Sequence, residues 1–195
     1  FSTGAISLDW GAYSGSSFVF SSLLTLPSST PSQYINSKAH LYANDFDQDG
    51  DPDYFLVSGD NDVVVLFKNN GNLSFSQSTL LSGGSLNNPT DLDFADFDAD
   101  GFTDIVVSSR DNGSVNLYYG DASYNYSNSR LFTDVSFPEE IQAVDFDQDG
   151  DIDIAFSSKI DSRLGVLLND RIQCVAQSIP FSFNLCSGDS LLFNG

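Results

Sequence analysis

The sequence predicts an all-β protein built from repeats, and three observations carry that expectation. The pattern D-x-D-x-D-G-x-x-D occurs as DFDQDGDPD from Asp45, DFDADGFTD from Asp96 and DFDQDGDID from Asp145, at a spacing of about fifty residues. Self-similarity at such a period is the mark of a repeat architecture. Each copy runs directly into a short apolar, β-prone segment: YFLVSG, DIVVSS or DIAFSS. Finally, 17 Phe and 8 Tyr stand beside only 7 Lys and Arg in a chain rich in Ser, Asn and Gly, a mixture that suits strands and turns better than helices.

The spacing inside each copy has a chemical reason. Carboxylates at positions 1, 3 and 5 of a tight loop can converge on one centre: Asp45, Asp47 and Asp49; Asp96, Asp98 and Asp100; Asp145, Asp147 and Asp149. Gly50, Gly101 and Gly150 occupy position 6, where the loop must reverse and a Cβ is expected to be in the way. Position 7, where a backbone carbonyl normally ligates, varies freely as Asp51, Phe102 and Asp151, while position 9 is again acidic as Asp53, Asp104 and Asp153. An all-oxygen donor set favours Ca²⁺ over a transition metal, and without a cation these carboxylates repel one another. A helix-loop-helix calcium hand needs Glu at position 12. These loops have Leu56, Val107 and Phe156 there, so they lead into strands instead.

On these loops the chain, from about Lys38 to Asn184, resembles the FG-GAP/VCBS-type repeats of integrin α-chain propellers and of secreted bacterial proteins. The resemblance implies a β-propeller-like array of four-stranded blades with Ca²⁺ in a loop between the first two strands of each. It implies three calcium sites, with the position 1, 3, 5 and 9 aspartates as side-chain ligands. The backbone carbonyls of Asp51, Phe102 and Asp151 would complete the shells.

Taken in order, residues 1–37 read as the outer hairpin of a partial blade plus a connection. AISLDWGAYSGSSFVFSSLLTL aligns with VNLYYGDASYNYSNSRLFTDV of the second repeat, and Trp10 is expected to pack between blades, with stacking on a carbohydrate as the alternative. SSTPSQYINS is the polar connection. Residues 38–86 form the first calcium blade: HLYANDF, the loop, YFLVSG, DVVVLFKNN, a turn at Asn70-Gly71, and LSFSQSTLL. Residues 87–136 repeat that order with a turn at Asn112-Gly113, and residues 137–184 repeat it again, with RIQCVAQSIPF as an irregular final segment. The tail, 185–195, breaks the repeat. It resembles short Cys-x-Gly-Asp-Ser segments between modules of secreted bacterial surface proteins, and its SLLF reads as a lone strand or the start of another module.

Charge and composition narrow the function. The formal charge is −20, and three Ca²⁺ would cancel only six of those charges, so nucleic acid and anionic membranes are poor partners. No apolar run is long enough to span a bilayer. The chain starts at Phe1 rather than Met, consistent with an upstream segment having been removed. Loops that need abundant calcium suit an extracellular location. Cys174 and Cys186 are close enough in sequence to close a short disulfide there, the alternative being two buried thiols. Asn72-Leu-Ser, Asn112-Gly-Ser and Asn125-Tyr-Ser match the N-glycosylation triplet.

The only histidine, His40, has no nucleophile beside it in sequence and reads as a surface residue. The acidic clusters of the three loops are accounted for by calcium, so an independent acid–base pair for catalysis is not expected. A non-enzymatic structural or adhesion module is therefore expected. The uneven count of half a blade, three full blades and a spare strand is met by an excerpt of a longer propeller, by a self-closed four-bladed ring, or by head-to-tail self-association through strand addition, and the last is the sharper expectation. A glycan- or protein-recognition propeller, or an accessory segment of a polysaccharide-degrading enzyme, is the alternative.

Overall fold

The computed structural model describes residues 7–14, 17–25, 34, 38–72, 74–132, 135–170 and 191–192, with the side chains of all of these except 7–25, 127–131 and 191–192. The described residues are mainly β-structured, with a short 3-10 turn at Gly59–Asn61. A two-stranded hairpin pairs β1 (Ser7–Ser14) with β2 (Ser17–Thr25) through a bulge at Trp10/Gly11, as the expected N-terminal hairpin requires. The first four-stranded sheet follows as β3 (Ala39–Asn44), β4 (Asp53–Ser58), β5 (Val63–Asn69) and β6 (Phe75–Ser82). The second is β7 (Pro89–Ala95), β8 (Asp104–Ser109), β9 (Ser114–Tyr119) and β10 (Ser127–Phe132). In both, each strand pairs antiparallel with the next in sequence.

The third sheet starts the same way with β11 (Pro138–Val144), β12 (Asp153–Ser158) and β13 (Arg163–Leu167). Its fourth strand is β14 (Leu191–Leu192), which lies on β13 with Leu191 opposite Val166 and Leu192 opposite Gly165. Leu191 and Leu192 of the tail therefore belong to the third sheet. The expected strand RIQCVAQSIPF lies outside the described residues.

The middle strands are apolar on both faces because the sheets stack. One core joins Phe46, Phe55, Val57, Val64 and Leu66 of the first repeat to Leu81, Leu86, Leu92, Ile105 and Val107. A second joins Phe97, Val106, Val115 and Leu117 to Val135, Ile141, Ile154, Phe156 and Leu167. A near-continuous apolar strand such as VVVLF is what a sheet covered on both sides needs. The other face of the first sheet, with Leu56, Val63, Val65 and Phe67, is also buried, partly by Tyr34 and Phe75.

The inner strands of neighbouring sheets are joined by side chains. Asp91 Oδ2 accepts the Ile141 N–H at 2.8 Å and Asp93 Oδ2 accepts the Ala143 N–H at 2.7 Å, so two carboxylates on β7 take donors from the edge of β11. Their other oxygens accept the N–H groups of Leu92 and Phe94 on their own strand, both at 2.9 Å. From the first sheet, the Tyr42 hydroxyl donates to Asp91. Burial, reinforced by that hydrogen bond, pushes the Tyr42 hydroxyl far up and keeps it a donor. These contacts satisfy strand edges that would otherwise be buried and unpaired.

Among the described residues, the stacking repeats as far as the third sheet. Phe46 and Phe97, each the second residue of its loop, are 5 % and 3 % exposed, but Phe146 at the same place in the third loop is 54 % exposed. Phe97→Ala should accordingly cost about 3–5 kcal/mol in chemical denaturation at saturating calcium. Phe146→Ala should cost less than about 1 kcal/mol. Equal losses would contradict this packing.

Candidate metal centres in three aspartate loops

Each loop joins the first strand of a sheet to the second, and the backbone bends in the same way in all three. Gly50, Gly101 and Gly150 have φ of +93°, +92° and +97°. No atom lies within 4 Å of where their Cβ atoms would sit. This corrects the steric expectation: glycine is required by its backbone angle and not by crowding. Gln48, Ala99 and Gln148 at position 4 are also left-handed, at φ of 57°, 51° and 64°, a feature the spacing alone did not reveal.

The first aspartate folds the loop over itself. Asp45 accepts the N–H groups of Asp49 and Gly50, both at 3.0 Å, and Asp96 accepts those of Asp100 at 3.0 Å and Gly101 at 2.9 Å. Asp145 accepts from Gly150 at 3.2 Å. At position 5, Asp49, Asp100 and Asp149 each accept the N–H of the residue two further on, at 2.9 Å. Such local bonds fix the turn before any ion arrives.

The ninth aspartate ties the loop to the rest of its sheet. Asp53 accepts Phe46 N–H at 2.9 Å on one oxygen and Asn69 N–H at 2.7 Å on the other. Asp104 does the same with Phe97 at 2.7 Å and Gly120 at 2.8 Å, and Asp153 with Phe146 and Asn169, both at 2.8 Å. All three carboxylates are buried. The carbonyl at position 8 is also held each time, by Asn69 at Pro52 (3.3 Å), Tyr126 at Thr103 (2.9 Å) and Asn169 at Ile152 (3.2 Å). In the second repeat Gly120 stands where the others have Asn, because a Cβ there would strike the Thr103 carbonyl, and Tyr126 supplies the missing donor.

The loops also touch the next repeat. The Tyr124 hydroxyl donates to the Asp47 carbonyl at 2.8 Å, Gln48 donates to the Gly101 carbonyl at 3.3 Å, and Asn169 donates to the Phe97 carbonyl at 2.8 Å.

Positions 1, 3 and 9 come together in every loop. Ligand oxygens of Asp45, Asp47 and Asp53, of Asp96, Asp98 and Asp104, and of Asp145, Asp147 and Asp153 lie within 4.8 Å of one another in each group. Asp149 of position 5 joins Asp147 in a further group with Asp170, which sequence reasoning missed. Its only signal was an acidic residue immediately after Asn169. Asp49 and Asp100 stay outside these groups and serve the turn. Asp47 Oδ1 and Asp145 Oδ1 are buried and accept no hydrogen bond, as expected of oxygens that face a cation. The donor set therefore fits a hard divalent ion. The Asn112 amide, a predicted glycan acceptor, donates to the Ser85 carbonyl at 2.6 Å, and Cys174 and Cys186 lie outside the described residues.

Burial raises the carboxyl of Asp104 to about 6, against the pull of its two N–H donors and with help from Asp98 and Asp96. Burial likewise raises Asp53, Asp153 and Asp147. A carboxyl raised in the fold stabilises it below the unfolded value, and that contribution disappears as pH climbs through the folded value. Calcium-free protein should thus lose thermal stability between pH 3.8 and about 6, and saturating calcium should abolish or reverse the slope. A decline of the same size with calcium present would count against metal binding here. Asp147→Ala should remove one bound calcium, read by calorimetry, and lower the melting temperature. Gly150→Val should destabilise by roughly 1–3 kcal/mol from backbone strain even at saturating calcium.

Among curated proteins, none matches the chain. The FG-GAP-like repeat family matches it twice, over residues 45–107 and 96–156, each match spanning from one aspartate loop into the strand after the next. Such repeats are typical of extracellular proteins, and no helix among the described residues is long and apolar enough to cross a membrane. With the matched loops placed between successive strands of stacked β-sheets, the chain belongs to the FG-GAP-like repeat family.

Proposed function

We propose that the chain is a non-catalytic extracellular module whose sheets stack as propeller blades, each braced by Ca²⁺, and that copies associate through the third sheet. The exposed apolar face of that sheet carries the proposal. Leu164 is 77 % exposed, whereas Val64 and Val115, at the same place in β5 and β9, are fully buried between sheets. With Phe146, it leaves uncovered the kind of surface that the first two repeats bury. Among the described residues, β13 pairs with two residues of β14, against seven paired positions between β5 and β6, and so short a pairing is one that the tail of a second copy can replace by strand addition. A contact that joins different surfaces need not close, and extends into a filament.

Calcium supplies the bracing. Fixed loops hold Phe46 and Phe97 in the neighbouring repeat, so ion binding and sheet stacking support one another by mass action. A second reading has its own observation. A cavity of about 200 Å³ lined by Lys38, His40, Thr90, Arg110, Glu139 and Glu140 lies away from the loops. Its mixed charge suits recognition of a glycan or a protein, including service as an accessory segment of a polysaccharide-degrading enzyme.

Sedimentation and negative-stain microscopy of wild type and Leu164→Glu, with calcium and after chelation, test the proposal. Wild type should form assemblies only with calcium, and Leu164→Glu should abolish them while melting like wild type. Monomers under every condition would overturn self-association and favour the recognition reading.

A further inference from the structure

The three loops differ in one charged contact. In the first, the Lys68 ammonium forms an ion pair with Asp47. The residue preceding Asn69, Gly120 and Asn169 is Lys68, Tyr119 and Leu168 in turn, so only the first loop has a cation there. The third loop differs in the opposite sense, since Asp170 adds a carboxylate to Asp147 and Asp149. The Asp47 side chain is only 7 % exposed and its Oδ1 is buried without a hydrogen bond, so half of this carboxylate faces into the loop while the other half is held by Lys68. Lys68 itself is 38 % exposed and has solvent to turn into.

We infer that Lys68 is a tethered counter-ion that stands in for calcium at the first loop, making that loop the last to load and the least dependent on the ion. This rests on the calcium reading above. A unit positive charge a few ångströms from a divalent ion opposes its binding by an amount on the order of tenfold in affinity. The first loop therefore keeps its shape at low calcium, with the Asp47 carbonyl still bonded to Tyr124 and Phe46 still packed on Tyr126 of the next repeat. The third loop, most negative and without such a lysine, gives up its ion last but loosens most once the ion is gone. Complete removal of calcium thus loosens the third loop while the first keeps its shape.

Calcium calorimetry on the metal-stripped chain, with loop amides followed by NMR, tests this on wild type, Lys68→Leu, Lys68→Gln and Lys68→Arg. In wild type, the Asp49 and Gly50 amides should respond at about tenfold higher calcium than those of Asp149 and Gly150. Lys68→Leu and Lys68→Gln should strengthen first-loop binding about tenfold with unchanged stoichiometry, and Lys68→Arg should leave it weak. An unchanged or weakened first loop in the neutral variants, with calcium still bound, would overturn the role of Lys68 alone. Absence of calcium binding in wild type would overturn the calcium reading with it.

Discussion

A buried aspartate that accepts two backbone N–H groups is the constraint on which the rest depends. Asp53, Asp104 and Asp153 each reach back 7 residues to the start of the loop and forward 16 residues to the end of the third strand. A charge taken out of water is costly unless it is hydrogen-bonded or paired, and two N–H donors meet only part of that cost. The raised carboxyl of Asp104 is the sign of what is left over. A divalent cation beside the same carboxylate would remove the remainder, so the group that closes the loop is also one that could hold the ion.

From this clamp the order of the repeat follows. Closing the loop sets Phe46 and Phe97 at the junction with the next sheet, where one packs beside Phe55 and Tyr126 and the other beside Val115 and Phe156. Side-chain carboxylates then finish what the sheets cannot pair for themselves. Asp91 and Asp93 take N–H groups from β11, while Glu140 and Gln142, the corresponding residues of β11, are exposed. Both the apolar junction and the polar stitching thus run from the first sheet to the third.

The parts legible in the sequence were those dictated by local chemistry. An ion that needs several oxygens within a few ångströms forces a fixed spacing, which made the loops and their repeat visible, and the strands followed from the apolar runs beside them. Features that depend on distant partners were not legible. Nothing near Asp91 announces Ile141, fifty residues away, and nothing near Asp47 announces Lys68. Asp170 and Tyr126 were missed for the same reason, since each acts on a loop through the fold. The glycine of position 6 was recognised but for the wrong cause, because a left-handed backbone and a crowded site leave the same mark on a sequence.

Amide hydrogen exchange at Phe97 and Gly120 tests the central claim most directly, since both N–H groups end on Asp104. With calcium bound, the two amides should exchange as slowly as those of the central strand β8. After removal of calcium they should exchange together and faster by orders of magnitude, while β8 changes far less. Identical protection with and without the ion would show that the clamp stands alone, and would contradict calcium as the brace of the fold.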